Sequence, residues 1–127
     1  MTTEFIFTLY NTPGVLAELG SWLGQKGINI EALVSISLGE TADMHLVVDD
    51  AEAAVRELEE YGLNFRRREV MEVQVRDAPG SLGTLADVVA ESGGNIDAAY
   101  LTVRGTVILA VNDPAKSAAI ARRLGAM

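Results

Sequence analysis

Two short segments of the sequence combine residue types that could bind a small zwitterion. Asn11 and Asp77 each stand two residues before a Pro-Gly pair, and leucines at helical spacing follow each pair. Amide groups at a helix N-terminus carry partial positive charge and suit a carboxylate, while glycine leaves room for close approach. The Asp77 carboxylate could accept hydrogen bonds from an ammonium group, and the Asn11 side chain could do so more weakly. Together these groups are complementary to a free α-amino acid.

A structural role explains the same residues equally well. Pro-Gly commonly begins a helix, and Asn11 and Asp77 are typical turn or cap residues. The residues alone therefore leave both interpretations open.

Both segments belong to an internal repeat. When the sequence is shifted by 66 residues, residues 11–16 align with 77–82, and residues 27–31 align with 93–97. The second copy then loses three residues in a turn, and the offset becomes 63 for the remainder. Two matched blocks with the same internal spacing indicate a duplicated structural unit.

The same elements are predicted in each copy. Apolar residues alternate over 5–10 and 70–76, which predicts strands, and recur every three or four residues over 16–23 and 82–89, which predicts helices. Two further β-rich segments follow in each copy, separated by a glycine turn. A second helix follows in each copy, with an aspartate as its predicted N-cap.

The resulting order, β-α-β-β-α-β, is the ferredoxin-like arrangement. We therefore expect an α+β fold of two repeats, residues 1–69 and 70–127, each with helices on one face of an antiparallel sheet. Only three residues follow the last helix of the second copy, so this copy lacks a full fourth strand. No Gly or Pro separates Leu63 from Ala78. The last strand of the first copy is thus expected to run almost directly into the strand at 70–76, which would have an open edge.

Composition excludes several classes of function. The 127 residues include no cysteine and one histidine, His45, so we predict no thiolate or histidine-rich metal site. No nucleophile–base pair or cofactor fingerprint is present, so we predict neither a cofactor nor enzymatic activity. The net charge of -8 disfavours nucleic acid, and the return strands lack the aromatic residues of an RNA-recognition motif.

Two features that the sequence lacks indicate where the protein is located. No apolar run is long enough to span a bilayer, and the first eleven residues lack the Lys or Arg of a signal peptide. We therefore expect a cytoplasmic protein that does not associate with membranes.

The motifs resemble those of a known family. A strand ending in Asn-x-Pro-Gly-x-Leu at 11–16, then a helix and Gly-Ile-Asn-Ile at 27–30, resembles the ACT domain. Asp-x-Pro-Gly-x-Leu at 77–82 and Gly-Gly-Asn-Ile at 93–96 repeat the pattern. The resemblance, to a tandem pair of ACT domains, covers nearly the whole chain.

The resemblance implies a regulatory role. ACT domains typically sense small molecules, often amino acids, and are attached to or associated with metabolic enzymes. They usually pair side by side, with the ligand held between the loop after the first strand and the start of a neighbour's second strand. The corresponding positions here are Asn11, Pro13, Gly14, Val15, Leu16, Asn29 and Ile30 in the first copy, and Asp77, Pro79, Gly80, Ser81, Leu82, Asn95 and Ile96 in the second.

A homodimer or larger even assembly is also expected. The sheet face away from the helices carries Ile6, Tyr10, Val47 and Ile108, which are unfavourable in water. Two functions remain open: an amino-acid-responsive regulator, or a subunit that binds a metabolic enzyme without a ligand site of its own.

Overall fold

The computed structural model describes residues 1–126. They form six strands and four helices, and each helix has eleven residues. In chain order these are β1 (Thr2–Tyr10), α1 (Val15–Gln25), β2 (Ile30–Leu38), β3 (Thr41–Val48), α2 (Ala51–Tyr61), β4 (Phe65–Val73), α3 (Ser81–Glu91), β5 (Ile96–Leu101), β6 (Val107–Val111) and α4 (Pro114–Leu124). The predicted ferredoxin-like order is confirmed. No residue between the end of α4 and Ala126 forms a strand, so the second copy lacks its fourth strand as expected.

The chain folds as two compact units. The first unit spans Thr3–Arg68, and the second contains Glu69 onward together with Met1 and Thr2. Strand β4 crosses this boundary without interruption. As expected, the last strand of the first copy continues directly into the first strand of the second copy, since no Gly or Pro interrupts the stretch.

In the first unit the strand order is β2-β3-β1-β4. Both β1 and β2 pair antiparallel with β3, so that Phe5 and Leu33 both lie opposite Leu46. Alternate residues of these strands face the helices, as the period of two requires. They form a core with the buried leucines Leu19 and Leu23 of α1.

In the second unit β6 lies between β4 and β5. Met71 and Ala99 both lie opposite Leu109, in the positions that Phe5 and Leu33 occupy in the first unit. Met71 and Leu109 form a separate core with Leu85 of α3 and other buried residues.

The two hairpins differ in length. Strands β2 and β3 remain paired up to Leu38 and Thr41, whereas β5 and β6 end at the pair Leu101–Val107. The missing pairs account for the three-residue change in the repeat offset. They also correct a predicted boundary: β4 ends at Val73 instead of Arg76, because the partner strand begins at Val107.

Helix termini follow the predicted cap chemistry. The Asp50 carboxylate accepts a hydrogen bond from the Ala53 amide, and Asp113 accepts one from the Ala115 amide at 2.9 Å. No helix within residues 1–126 is long and apolar enough to cross a membrane.

The sheet face away from the helices is less exposed than its sequence suggests. Val47 and Ile108 are completely buried within the single chain, whereas Tyr10 is 75% exposed. Two of the four residues that motivated a dimer therefore need no partner chain to cover them.

Candidate functional site

The first Pro-Gly loop is held to the neighbouring hairpin through Asn11. The backbone amide of Asn11 donates to the Glu40 carbonyl oxygen, and the Asn11 side-chain Nδ2 donates to Ser37 Oγ, each at 2.8 Å. Both acceptors lie on the longer β2–β3 hairpin. Asn11 thus has the structural role that the sequence left open, since its side chain already has a partner.

The second Pro-Gly loop has no such attachment. Arg76 and Asp77 are adjacent and exposed, and neither side chain forms a hydrogen bond or ion pair with any other residue from 1 to 126. The residue of the shorter β5–β6 hairpin that corresponds to Ser37 in the repeat is Val103, whose side chain cannot accept a hydrogen bond. A cationic and an anionic group therefore stand side by side, unpaired, at the start of α3.

Both Pro-Gly loops lead into helices in the same way. Gly14 and Gly80 precede α1 and α3 with φ of 86° and 85°, a left-handed conformation that glycine adopts without strain. No side chain caps either helix. The Ser81 amide donates to the Ala78 carbonyl at 3.2 Å, so the next amide, that of Leu82, is better placed to receive an external anion.

A cleft of about 490 Å³ opens beside the second loop, within the second unit. Its lining comprises Val75, Arg76, Asp77, Ala78, Ser81, Leu82, Ala99, Tyr100, Leu101, Gly105 and Val107. Three of the predicted site residues, Asp77, Ser81 and Leu82, are thus brought together. Pro79 and Gly80 belong to the same loop but do not line the cleft.

The predicted residues at the strand starts lie elsewhere in each unit. The Asn29 amide donates to Asp49 Oδ1 at 2.9 Å, and the Asn95 amide donates to Asn112 Oδ1 at 3.0 Å. Ile30 and Ile96 begin β2 and β5, at the strand ends opposite the hairpin turns. At roughly 3.3 Å per residue, Ile96 is about 17 Å from the end of β5. Within one unit, these residues therefore do not meet the Pro-Gly loop.

Most of the cleft lining cannot be predicted from motifs in the sequence, because small apolar residues on strands carry no motif. Ala99 and Val107 would be assigned to a core by their pattern alone. A position-by-position comparison of the two copies could have found them, since both are smaller than their counterparts, Leu33 and Met44.

An ion pair between a buried carboxylate and a partly exposed arginine fixes the turn that borders the cleft. Glu72 is 4% exposed, and Arg104 Nη2 donates to its two carboxylate oxygens at 2.8 and 2.6 Å. The Thr106 hydroxyl donates to the same carboxylate. Thr102 Oγ1 in turn lies 2.6 Å from Thr106 Oγ1. These contacts hold the 102–106 turn against β4.

Opposing effects act on the pKa of Glu72. Burial raises the pKa, but hydrogen bonds from Thr106 and Arg104 and the guanidinium charge lower it by more. The pKa therefore lies below its ordinary value, and Glu72 is ionised at neutral pH.

The chain resembles known proteins in three-dimensional structure. No family model matches the sequence, and no curated protein matches it. Protein BT0572 from Bacteroides thetaiotaomicron is 18% identical, with a TM-score of 0.86, over 98% of this chain and 89% of that chain.

Two aspartate kinase regulatory subunits also match. The ligand-free Thermus thermophilus subunit is 19% identical, with a TM-score of 0.71, over 98% of this chain and 90% of that chain. The Thermus flavus subunit is 20% identical, with a TM-score of 0.68, over 98% and 92%. At these identities the likeness establishes the fold. The chain therefore has the tandem ACT-like fold that its repeated motifs predict.

Proposed function

We propose that this chain is a non-catalytic, cytoplasmic regulatory protein of the ACT type that binds a free amino acid in the cleft of its second unit. One observation carries the proposal: the consecutive residues Arg76 and Asp77 lie at the rim of a cleft, beside a helix N-terminus without a side-chain cap, and neither side chain has a partner within residues 1–126. The ligand ammonium would meet Asp77. Its carboxylate would meet the Leu82 amide and the Arg76 guanidinium, which are both donors.

The proposal assigns unequal roles to the two loops. Asn11 is already bonded to Ser37 and carries no charge, so the first loop should bind a ligand more weakly than the second. Asn29, Ile30, Asn95 and Ile96 could contact a ligand only as contributions from a neighbouring chain. We therefore retain the homodimer as part of the proposal.

The structural neighbours support a regulatory role. Two of them are regulatory subunits of aspartate kinase, and the chain matches about nine tenths of each. By analogy of fold, the partner that responds to the bound amino acid would be a metabolic enzyme.

The proposal is tested by calorimetric titration after a thermal-shift screen of the twenty proteinogenic amino acids. A ligand at 100 times its dissociation constant should stabilise the protein by about 2.7 kcal/mol, which a screen detects. Asp77→Ala should weaken binding of the best ligand by roughly 10- to 100-fold, because a hydrogen bond to a charged group contributes about 1.5–3 kcal/mol.

Asn11→Ala provides the matched comparison, since Asn11 is the equivalent residue of the first loop. It should weaken binding by less than Asp77→Ala does. If Asn11→Ala abolishes binding while Asp77→Ala binds normally, the ligand occupies the first loop instead. If no amino acid binds, the proposed function is wrong.

The alternative is an interaction subunit without its own ligand site. Three large apolar side chains of the first unit favour it: Tyr10, Ile36 and Leu38 are 75%, 54% and 61% exposed. The strand register places them on one sheet face, because Tyr10 and Leu38 both lie opposite Thr41. Co-purification of an enzyme by a protein that binds no amino acid would favour this alternative.

A further inference from the structure

Several residues that line the cleft of the second unit are smaller than their counterparts in the first unit. The repeat alignment and the strand register identify the equivalent positions independently. Leu33 and Ala99 lie opposite Leu46 and Leu109, which are themselves equivalent. Leu33 packs against the core of the first unit, whereas Ala99 is exposed and lines the cleft.

Three further positions change in the same direction. Phe7 pairs with Met44 in the first unit, and the equivalent pair in the second unit is Val73 with Val107. Leu9 is replaced by Val75. Each of these replacements removes side-chain volume on the helix-facing side of the sheet. Leu101, in the position of Ser35, changes in the opposite direction, but the other four positions together have less side-chain volume than their counterparts in the first unit.

The space is bounded mainly by apolar groups. Val107 is 3% exposed and belongs to the core, while Leu82 and Leu101 are 58% and 66% exposed along the cleft. Leu101 lies on the helix-facing side of the sheet, because it pairs with Val107. It is nevertheless exposed, and a ligand in the cleft would cover it.

The charged groups of the lining are confined to one place. Of the eleven lining residues, only Arg76 and Asp77 are charged, and they are consecutive in the loop. Under the proposed function they bind the main-chain groups of the ligand. Ser81 and Tyr100 are the uncharged polar side chains of the lining, and its other uncharged members are apolar or glycine. A polar or charged ligand side chain placed against the apolar members would lose water without gaining a partner there.

We propose that the cleft selects amino acids with aliphatic side chains, such as valine and leucine, and that Ala99 determines the side-chain size it accepts. This inference rests on the proposed function, because the main-chain groups of the ligand must be held at the loop. Each additional buried methylene should then strengthen binding roughly fourfold.

Isosteric pairs of ligands separate polarity from size. Calorimetric titration of the full chain should show valine binding at least tenfold more tightly than threonine, and leucine at least tenfold more tightly than asparagine. Tighter binding of the polar member of both pairs would overturn the aliphatic specificity while leaving the proposed function in place. No binding by any of the four, or by any other amino acid, would overturn both.

A substitution taken from the first unit tests the role of Ala99. Ala99→Leu introduces the side chain that the first unit has at this position, so the fold can accommodate it. Leucine binding should weaken at least tenfold, whereas alanine, which does not need the space, should bind within about threefold of its original affinity.

The control is Ala90→Leu, which makes the same change at an exposed position of α3 outside the cleft lining. It should leave both affinities unchanged, and circular dichroism should show both variants folded. Unchanged leucine binding by Ala99→Leu would show that the ligand side chain lies elsewhere, and would overturn the assignment of Ala99.

Discussion

Each unit buries one carboxylate and pairs it with an arginine. Glu4 is completely buried, with its Oε1 2.6 Å from Arg68 Nε and its Oε2 3.0 Å from His45 Nδ1. In the second unit, Glu72 is held by Arg104. Removing one partner of a buried pair is costly because the remaining group loses its compensation. These contacts therefore constrain where the strands and turns can lie.

Glu72→Gln tests this constraint. The variant should lower the free energy of unfolding by about 1.5–3 kcal/mol at pH 7, the usual contribution of hydrogen bonds to a charged group. Because the pKa of Glu72 is lowered on folding, its ionised form stabilises the protein above the ordinary value of 4.5. The difference between wild type and variant should shrink as the pH falls below that value.

The measurement is urea denaturation of both proteins between pH 7 and pH 3. Glu91→Gln serves as a control, since the Glu91–Arg123 pair is exposed and should contribute no more than about 1 kcal/mol. A wild-type advantage that stays constant down to pH 3 would contradict the assigned role of Glu72.

At single positions, the sequence indicates candidate polar groups more readily than it indicates shape, and the ligand role of Asp77 stays a prediction. Asp77 was predicted as a ligand residue, and the structure places it at the rim of a cleft with no competing partner. Ala99 was not predicted, because an alanine in a strand has no distinctive chemistry. The space beside Ala99 is evident only by comparison with Leu33, the larger residue at the equivalent position of the first unit, and the strand register identifies that equivalence.

Among the elements, the second helix of each unit begins at an aspartate that the sequence identified. Asp113 Oδ1 accepts hydrogen bonds from the amides of Ala115 and Lys116, and Pro114 occupies the first turn. The first helix of each unit instead follows a glycine and has no side-chain cap. The two helix types therefore differ in how much their first amides can interact with an external group.

Asp113→Ala should cost about 1 kcal/mol of stability, as loss of a side-chain N-cap usually does. Asp113→Asn retains an acceptor and should restore most of that loss. Thermal unfolding of the three proteins measures the difference. Equal destabilisation by both substitutions would show that charge, and not capping, is what Asp113 contributes.

Element boundaries were predictable where turn residues fix them and less so where a partner strand does. Strand β2 ends at Leu38, just before Gly39 of the predicted glycine turn, whose φ is 77°. By contrast, β5 ends at Leu101, four residues before Gly105, because Thr102 and Thr106 bond to each other and widen the turn. Such side-chain pairing across a turn has no periodic signal.

For the whole molecule, the sheet edges provide the remaining argument for self-association. Within residues 1–126, β2 of the first unit pairs with β3 alone, and β5 of the second unit pairs with β6 alone. Edge strands carry backbone groups that another chain can pair with. Together with Tyr10 and Leu38, which are exposed on one sheet face near the first hairpin, these edges support the proposed homodimer.

Light scattering at micromolar concentration should give about twice the 13.5 kDa of one chain. Leu38→Asp should shift the protein toward the monomer, because it places a charge in the exposed apolar group. Ala90→Asp, on an exposed face of α3, should leave the mass unchanged. A monomeric wild type would contradict the proposed dimer.

The apolar cleft has a consequence for how long the protein survives in a cell. Without ligand, its exposed leucine side chains remain in contact with water and contribute less to stability than covered ones would. Ligand binding adds stability in proportion to the logarithm of ligand concentration. Unfolded chains are removed by proteases, so a more stable population turns over more slowly. Under the proposed function, the supply of the bound amino acid would then adjust the abundance of its own sensor.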